Sequence, residues 1–255
     1  MDAADNSSQD TLAVDSLAPE RYRVLSGSVL KLIAIATMLV DHVTKHVLVS
    51  IPACGTPLYY VGKTGVSWLV IGESIGRTAF PIFAFLLVEG FVHTRDRWRY
   101  GRNLALFALI SEVPFDLSRT LTPFDPTYQN VFVTLFVAYV ALCAYEKFVD
   151  RPALRAVCVL GLALASMGLA CDYGPRGFAL VLVFYVLRSN ALAYTAVGSC
   201  IMLSTWRSAL AFVPINLYSG KRGFVQGPVL KFAFYAFYPV HLLVLWQMQL
   251  QMVAA

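Results

Sequence analysis

Residues 28–50, SVLKLIAIATMLVDHVTKHVLVS, decide how this chain is read. The stretch is long enough to cross a bilayer as one helix. After Lys31 it is almost wholly apolar as far as Val40, and it then sets Asp41 and His42 inside the same span. Titratable groups in a membrane helix are costly, and they persist where they face a protein interior or a wet cavity. Lys31 and His42 are eleven residues apart. At 100° per residue that places both on one stripe, about 16 Å apart along the axis. A cation near one membrane face and an imidazole near the other then point into the same space, and the remaining helices are expected to pack around that stripe.

The 255 residues are 58% hydrophobic and only 14% charged, which is too little charge for a soluble domain. Apolar stretches of about 15 to 20 residues recur, so the chain reads as an all-α polytopic membrane protein. Lipid leaves no partner for unpaired backbone groups, and long apolar segments satisfy them as helices rather than as a barrel. The net charge of +5 is explained by topology, and no nucleic acid partner is expected. Five cysteines without a CxxC spacing make neither a disulfide framework nor a zinc site. They read as small core residues, with a Cys54–Cys171 pair at the outer face as the alternative. Residues 1–27 form an acidic tail, with Asp2, Asp5, Asp10, Asp15 and Glu20. That composition predicts disorder and lacks the basic start of a secretion signal. Residues 28–255 are expected to be one membrane domain.

Hydropathy predicts about nine transmembrane helices: 28–50, 74–93, 103–117, 130–145, one ending at 170, short ones ending near 188 and 204, 208–218 and 230–250. A short apolar piece at Trp68–Ile71 reads as re-entrant or interfacial. Basic loops fix the orientation. Arg95, Arg97, Arg99 and Arg102 fall within residues 94–102, and Lys147, Arg151 and Arg155 mark a second loop. Lys221, Arg222 and Lys231 mark a third. With the N-terminus cytoplasmic, these loops all fall inside. The outer layer then receives Asp41, His42, Arg77, Glu112, Asp116 and Asp172. The inner layer receives Lys31, Glu89, His93 and the arginine run.

His42 has the pKa range of a general base. Asp41, its neighbour, points about 100° away on the helix and orients it only through another group. A pair with Lys45 at i+4 is the simpler fate of that carboxylate. His42 and His46 share the i, i+4 spacing of metal ligands, but no third ligand is placed by the sequence and no metal is expected. Glu89 and His93 lie one turn apart, as do Glu112 and Asp116. Arg77 is the expected cation beside the two carboxylates, either in an ion-pair network tying helices together or in a polar path. The arginine run with Lys221 and Arg222 marks topology, and it also suits a polyphosphate or lipid headgroup. His241, inside the last helix, reads as a hydrogen-bonded core histidine. These residues alone leave three classes open: an enzyme, a transporter whose path runs through Asp41, His42, Glu112 and Asp116, or a non-catalytic membrane partner in an envelope assembly.

The segments SIGRTAFPIFAFLLVEGFVHT and FALISEVPFDL resemble the TraX family. So do LKLIAIATMLVDHV, CDYGPRG, YSGKRG and KFAFYAFYPVHLL, and the likeness covers residues 29–245. The family takes its name from a conjugation protein associated with N-terminal acetylation of F-type pilin. Its pattern is similar to that of larger integral-membrane acyltransferases, which carry Arg or Lys, ten residues, then His in their first helix. Here that pattern falls on Lys31 and His42. The resemblance implies a bacterial cytoplasmic-membrane enzyme using acetyl-CoA, with a peptide, glycan or lipid acceptor. Lys31, Arg95, Arg97, Arg99, Arg102, Lys221 and Arg222 would bind the donor. His42, with Asp41, would be catalytic. Arg77, Glu89, His93, Glu112, Asp116, Asp172 and His241 would shape the site.

Overall fold

A computed structural model describes residues 16–254. The first 15 residues of the expected tail lie outside that range. The rest of it is placed: Leu17 N donates to the Asn216 side chain at 3.1 Å, and Arg23 holds the carbonyls of Ala18 and Ser16.

Helix α1 runs Gly27–His46, opened by the Ser26 side chain, which accepts from Val29 N. Its buried residues Leu30, Ala34, Met38, Asp41 and Thr44 recur at helical spacing and face the bundle. Leu32 and Leu39 face outward. After a short turn, α2 (Pro52–Gly55), comes an antiparallel hairpin of β1 (Tyr59–Val61) and β2 (Thr64–Val66). This hairpin lies between the expected helix 28–50 and the apolar piece at Trp68–Ile71, where hydropathy predicts no element. Its turn is made by Gly62 at φ +63°, a conformation glycine adopts freely.

The apolar piece near Trp68 is helix α3 (Trp68–Gly76), capped by Ser67 and followed almost at once by α4 (Ala79–His93). The sequence pattern predicts one helix over 74–93, preceded by a separate re-entrant or interfacial piece at Trp68–Ile71. The break falls instead at Arg77–Thr78. Gly72 and Gly76 form a G-x-x-x-G face that lets α3 close on α1. A methyl group on Gly76 would sit 2.2 Å from Asp41 Cβ. Helix α4 is apolar except at Glu89 and His93 and is buried nearly all round, with Phe80, Ile82, Phe85, Val88 and Phe91 at the centre of the core.

Helix α5 is Arg97–Thr120, longer than expected at its start because the Asp96 side chain caps it by accepting from Arg99 N. Arg97, Arg99 and Arg102 are therefore on its first turns and not in a loop. Helix α6 (Val131–Lys147) is capped by Asn130, and α7 is Pro152–Gly168. Helices α8 (Gly174–Val186) and α9 (Ala191–Ile201) follow. A 3-10 stretch, Leu203–Ala211, leads into α10 (Phe212–Asn216), and α11 (Gly227–Ala254) ends the described chain with Pro239 inside it.

The fold is all-α apart from the hairpin. Among the described residues three spans are long and apolar enough to cross a membrane: Gly27–Ser50, Trp68–His93 and Val229–Met252. Helices α7, α8 and α9 are apolar but shorter. The outer surface is what a lipid solvent requires: Val157, Leu160 and Leu164 on α7 and Leu109 on α5 are exposed. All five cysteines are free, so Cys54 and Cys171 do not pair.

The start of α1 meets the loop between α10 and α11. Leu25 bridges Tyr218 in parallel, Gly27 N donates to Lys221 O at 2.8 Å, and Ser28 N donates to Arg222 O at 3.0 Å. Gly223, at φ +82°, passes so close to Ser26 that a Cβ would lie 2.4 Å from its hydroxyl.

Candidate functional site

The finish of α1, the starts of α4 and α6, the end of α5 and the body of α11 enclose a cavity of about 510 Å³. Its wall includes Asp41, His42, Lys45, His46, Arg77, Tyr128, Asp172, Tyr173 and Tyr238.

Residue 42 on α1 and residue 241 on α11 meet there. His42 Nδ1 lies 2.7 Å from His241 Nε2. The ring centroids are 4.9 Å apart and the planes differ by 17°. That separation is what the N···N gap and two ring radii add up to, so the rings lie edge to edge in nearly one plane. His241 Nδ1 is 2.8 Å from the Phe237 carbonyl. Phe237 also lies face to face with His241, and Tyr238 meets both imidazoles edge-on.

His46 is tied differently. The Gln249 amide donates to its Nδ1 at 3.2 Å, and the ring's other nitrogen bonds the Ser118 carbonyl. Both nitrogens are occupied, which makes His46 a strut between α1, α5 and α11. No group of three metal-ligating side chains occurs among the described residues.

Asp41 is buried, and one of its oxygens takes the Lys45 ammonium in an i, i+4 pair. It does not touch His42. Its second oxygen, Oδ1, is buried without a hydrogen-bond partner. Arg77 does not pair with Glu112 and Asp116 as the sequence suggested. It ends α3 and bonds the Tyr173 hydroxyl, within electrostatic reach of Asp172. The two carboxylates have nearer partners: Asn130 donates to Glu112, and Asp125 N donates to Asp116 at 2.8 Å. Neither Glu112 nor Asp116 lines the cavity.

Asp172 sits in the turn before α8, where the Tyr128 hydroxyl donates to its carbonyl at 2.7 Å and to its carboxylate at 3.0 Å. Burial pushes its carboxyl above the ordinary carboxylate range. Burial likewise pushes the neighbouring Cys171 thiol up to about 11. In the α5–α6 loop, Thr127 donates its hydroxyl and N–H to Asp125 and holds that carboxyl below the ordinary range.

The opposite end of the bundle gathers the remaining predicted residues. Lys31 lies within electrostatic reach of Lys231 and Arg222. Three cations on α1, α11 and the loop between α10 and α11 thus converge, an arrangement that phosphate groups would neutralise. Arg97 is taken by Glu146 and stacks over the Phe91 ring, whereas Arg95, Arg99 and Arg102 are exposed. Lys221 is exposed, and its carbonyl caps α1. Glu89 is buried, accepts from the Tyr218 hydroxyl and lies 3.8 Å from His93, whose Nδ1 donates to the Glu89 carbonyl.

The Asp41–Lys45 pair is the one the sequence suggests, whereas Tyr238, Tyr128, Tyr173 and Lys231 are not marked by the sequence as parts of these two clusters. The G-x-x-x-G spacing on α3 was the available signal for the close contact with Asp41. No local signal marks the tyrosines.

Residues 26–249 match a family described as TraX protein. The chain is 31% identical over 200 residues to a protein named "Probable fimbrial assembly protein FimC, serogroup H1", from Dichelobacter nodosus. That alignment covers 67% of this chain and 80% of the relative. No solved structure matches the chain.

Proposed function

This chain belongs to the TraX family, and on that premise we propose that it is a multi-pass acyltransferase of a bacterial cytoplasmic membrane. It moves an acetyl group from cytoplasmic acetyl-CoA to an acceptor reached from outside. About nine passes with a cytoplasmic N-terminus carry the chain between the two faces. The relative's name favours a fimbrial subunit's N-terminal amine as acceptor over a sugar or a lipid.

The observation that carries this reading is His42 on the cavity wall, with one ring nitrogen held by His241 and the other left for a substrate. An acceptor N–H or O–H gives its proton to His42 while its heteroatom attacks the thioester carbon. The carbon–sulfur bond then breaks, and the proton ends on the departing thiol. The converging cations Lys31, Arg222 and Lys231 suit the donor's phosphates, with the exposed arginines of α5 near the same end. Separation of phosphates from the reacting carbon by roughly three turns of α1 matches the reach of the pantetheine arm that joins them.

The test uses purified protein in nanodiscs with radiolabelled acetyl-CoA and a peptide carrying the fimbrial N-terminus. Transfer of label to the peptide, lost in His42→Ala while donor binding persists, supports the proposal. Equal transfer by well-folded His42→Ala sinks it.

A further inference from the structure

We propose that His241 is the positioning residue of this site: it fixes the tautomer of His42 and takes up its proton in turn. The proposal rests on the acyltransferase reading for its kinetics, but not for its geometry.

The argument begins from a carbonyl. The oxygen of Phe237 can only accept, so the ring nitrogen 2.8 Å from it, His241 Nδ1, carries a hydrogen. In a neutral imidazole the other nitrogen is then a lone pair. That lone pair, on Nε2, lies 2.7 Å from His42 Nδ1. The hydrogen between them therefore belongs to His42, and the lone pair of His42 is fixed at Nε2. A histidine's tautomer is set by the bond its other nitrogen makes, and here a backbone carbonyl on α11 sets it through an intervening ring.

The second observation is orientation. The rings share nearly one plane, so the N–H of His42 points along the lone-pair direction of His241. Phe237 holds His241 by its face, and Tyr238 holds it by its edge. A histidine needed only for packing would be satisfied by the Phe237 carbonyl alone. This one is buried with its second nitrogen spent on the histidine that lines the cavity. The charged and titratable groups around the pair are Asp41, Lys45 and His46 on α1, Tyr238 on α11, Arg77 after α3, Arg119 on α5, Tyr128 before α6, and Asp172 and Tyr173 before α8. The carboxylate of Asp41 is engaged by Lys45, and none of these groups replaces His241 at Nδ1.

The proton steps balance. The acceptor's proton goes to His42 Nε2, and the Nδ1 proton of His42 passes to His241 Nε2. His241 then donates at both nitrogens, to His42 and to Phe237. A bond forms between the acceptor heteroatom and the acyl carbon, and the carbon–sulfur bond breaks. The two protons step back, so that the departing thiolate leaves as a thiol. The net change is acyl thioester plus acceptor giving acyl acceptor plus thiol. His241 orients its neighbour as the carboxylate orients the histidine of a serine hydrolase, but that carboxylate stays unprotonated, whereas His241 is neutral at rest and cationic while it holds the second proton.

The test has two arms on the full-length protein in nanodiscs. In the first, ¹⁵N-histidine NMR reads the tautomer directly. His42 should be protonated at Nδ1 and bare at Nε2 in the wild type and in His241→Gln, whose side-chain oxygen can still accept. His241→Phe should release it to a mixture of tautomers. In the second, acetyl transfer is followed against pH. His241→Phe should lose roughly 10²- to 10⁴-fold in kcat with donor KM unchanged. His241→Gln should recover about tenfold of that. A wild-type His42 protonated at Nε2 overturns the proposal, as does His241→Phe with wild-type kcat. If the wild type transfers no acyl group, the enzyme reading fails while the tautomer arm still decides the role of His241. If His241→Phe does not fold, the wild type and His241→Gln decide it.

Discussion

Replacing Gly76, a glycine on the cavity wall, by alanine should disable the site through packing and without changing a side chain that takes part in the chemistry. The added Cβ would lie 2.2 Å from Asp41 Cβ and 2.7 Å from Asp41 Cα. Carbon atoms in contact settle at about 3.5–4.0 Å, so α1 and α3 must part by roughly 1.3 Å or more. Rotating a side chain gives no relief, because both obstructing atoms belong to or adjoin the backbone. Asp41 precedes His42, so the displacement reaches the 2.7 Å bond to His241 and carries it beyond the usual hydrogen-bond range. Overpacking of this kind costs about 1–3 kcal/mol. A misplacement of roughly 1 Å at a reacting group costs on the order of 10²-fold in rate. Gly72→Ala should be milder, since its Cβ meets the Thr44 side chain, which can turn. Gly161→Ala is the control: nothing lies within 4 Å of its Cβ. Thermal unfolding and acetyl transfer would be measured for all three in nanodiscs. If Gly76→Ala matches Gly161→Ala in both, the close approach of α3 to α1 does not position His42.

His42→Ala should lower acyl transfer about 10²- to 10⁴-fold and leave donor binding intact, which single-turnover kinetics with calorimetry would separate. Reversing charge at Lys31, Arg222 and Lys231 together should weaken acetyl-CoA binding and flatten its salt dependence, with turnover at saturating donor nearly unchanged. Asn130→Ala should lower the melting temperature, because Asn130 is fully buried, caps α6 and donates to both Ala108 O and Glu112. Loss of the cap costs about 0.5–2 kcal/mol, and an unsatisfied Glu112 adds to it. Asp125 supplies a pH test. Its carboxyl is held low in the folded protein, so its contribution is present above the ordinary carboxylate pKa of about 4 and is lost as pH falls through the lower folded value. Amide exchange at Thr127 should rise in that acid range, and Asp125→Asn should remove the dependence.

Much of this was legible in the sequence because lipid narrows the choices. A chain with this composition has to be helical, and the motifs from Arg77 to Glu89 name the family. The eleven-residue spacing put Lys31 and His42 on one stripe, and the two sit in separate clusters toward opposite ends of α1. Three things were not legible. The register of α11 against α1 is tertiary, so His241 reads as an ordinary core histidine until its neighbour is known. The expected bond of Arg77 to Glu112 and Asp116 failed because an uncharged residue, Asn130, and a loop N–H reach those carboxylates first. Charge marks topology and so places the arginine run in a loop, while the Asp96 cap that extends α5 back to Arg97 is a single-residue signal.

The first helix to be made is the last to be completed. Its opening N–H groups find their acceptors on Lys221 and Arg222, and the Ser28–Arg222 contact spans 194 residues. At a synthesis rate of about 5–20 residues per second, the loop that closes this end appears roughly 10–40 s after α1 itself. Throughout that interval the start of α1 holds unmet backbone donors, which hydrocarbon would penalise and water would not. Insertion therefore has to keep this end wet while the other helices arrive. A chain stopped before residue 219 would carry α1 and the His42 ring yet have neither its closing loop nor its histidine partner.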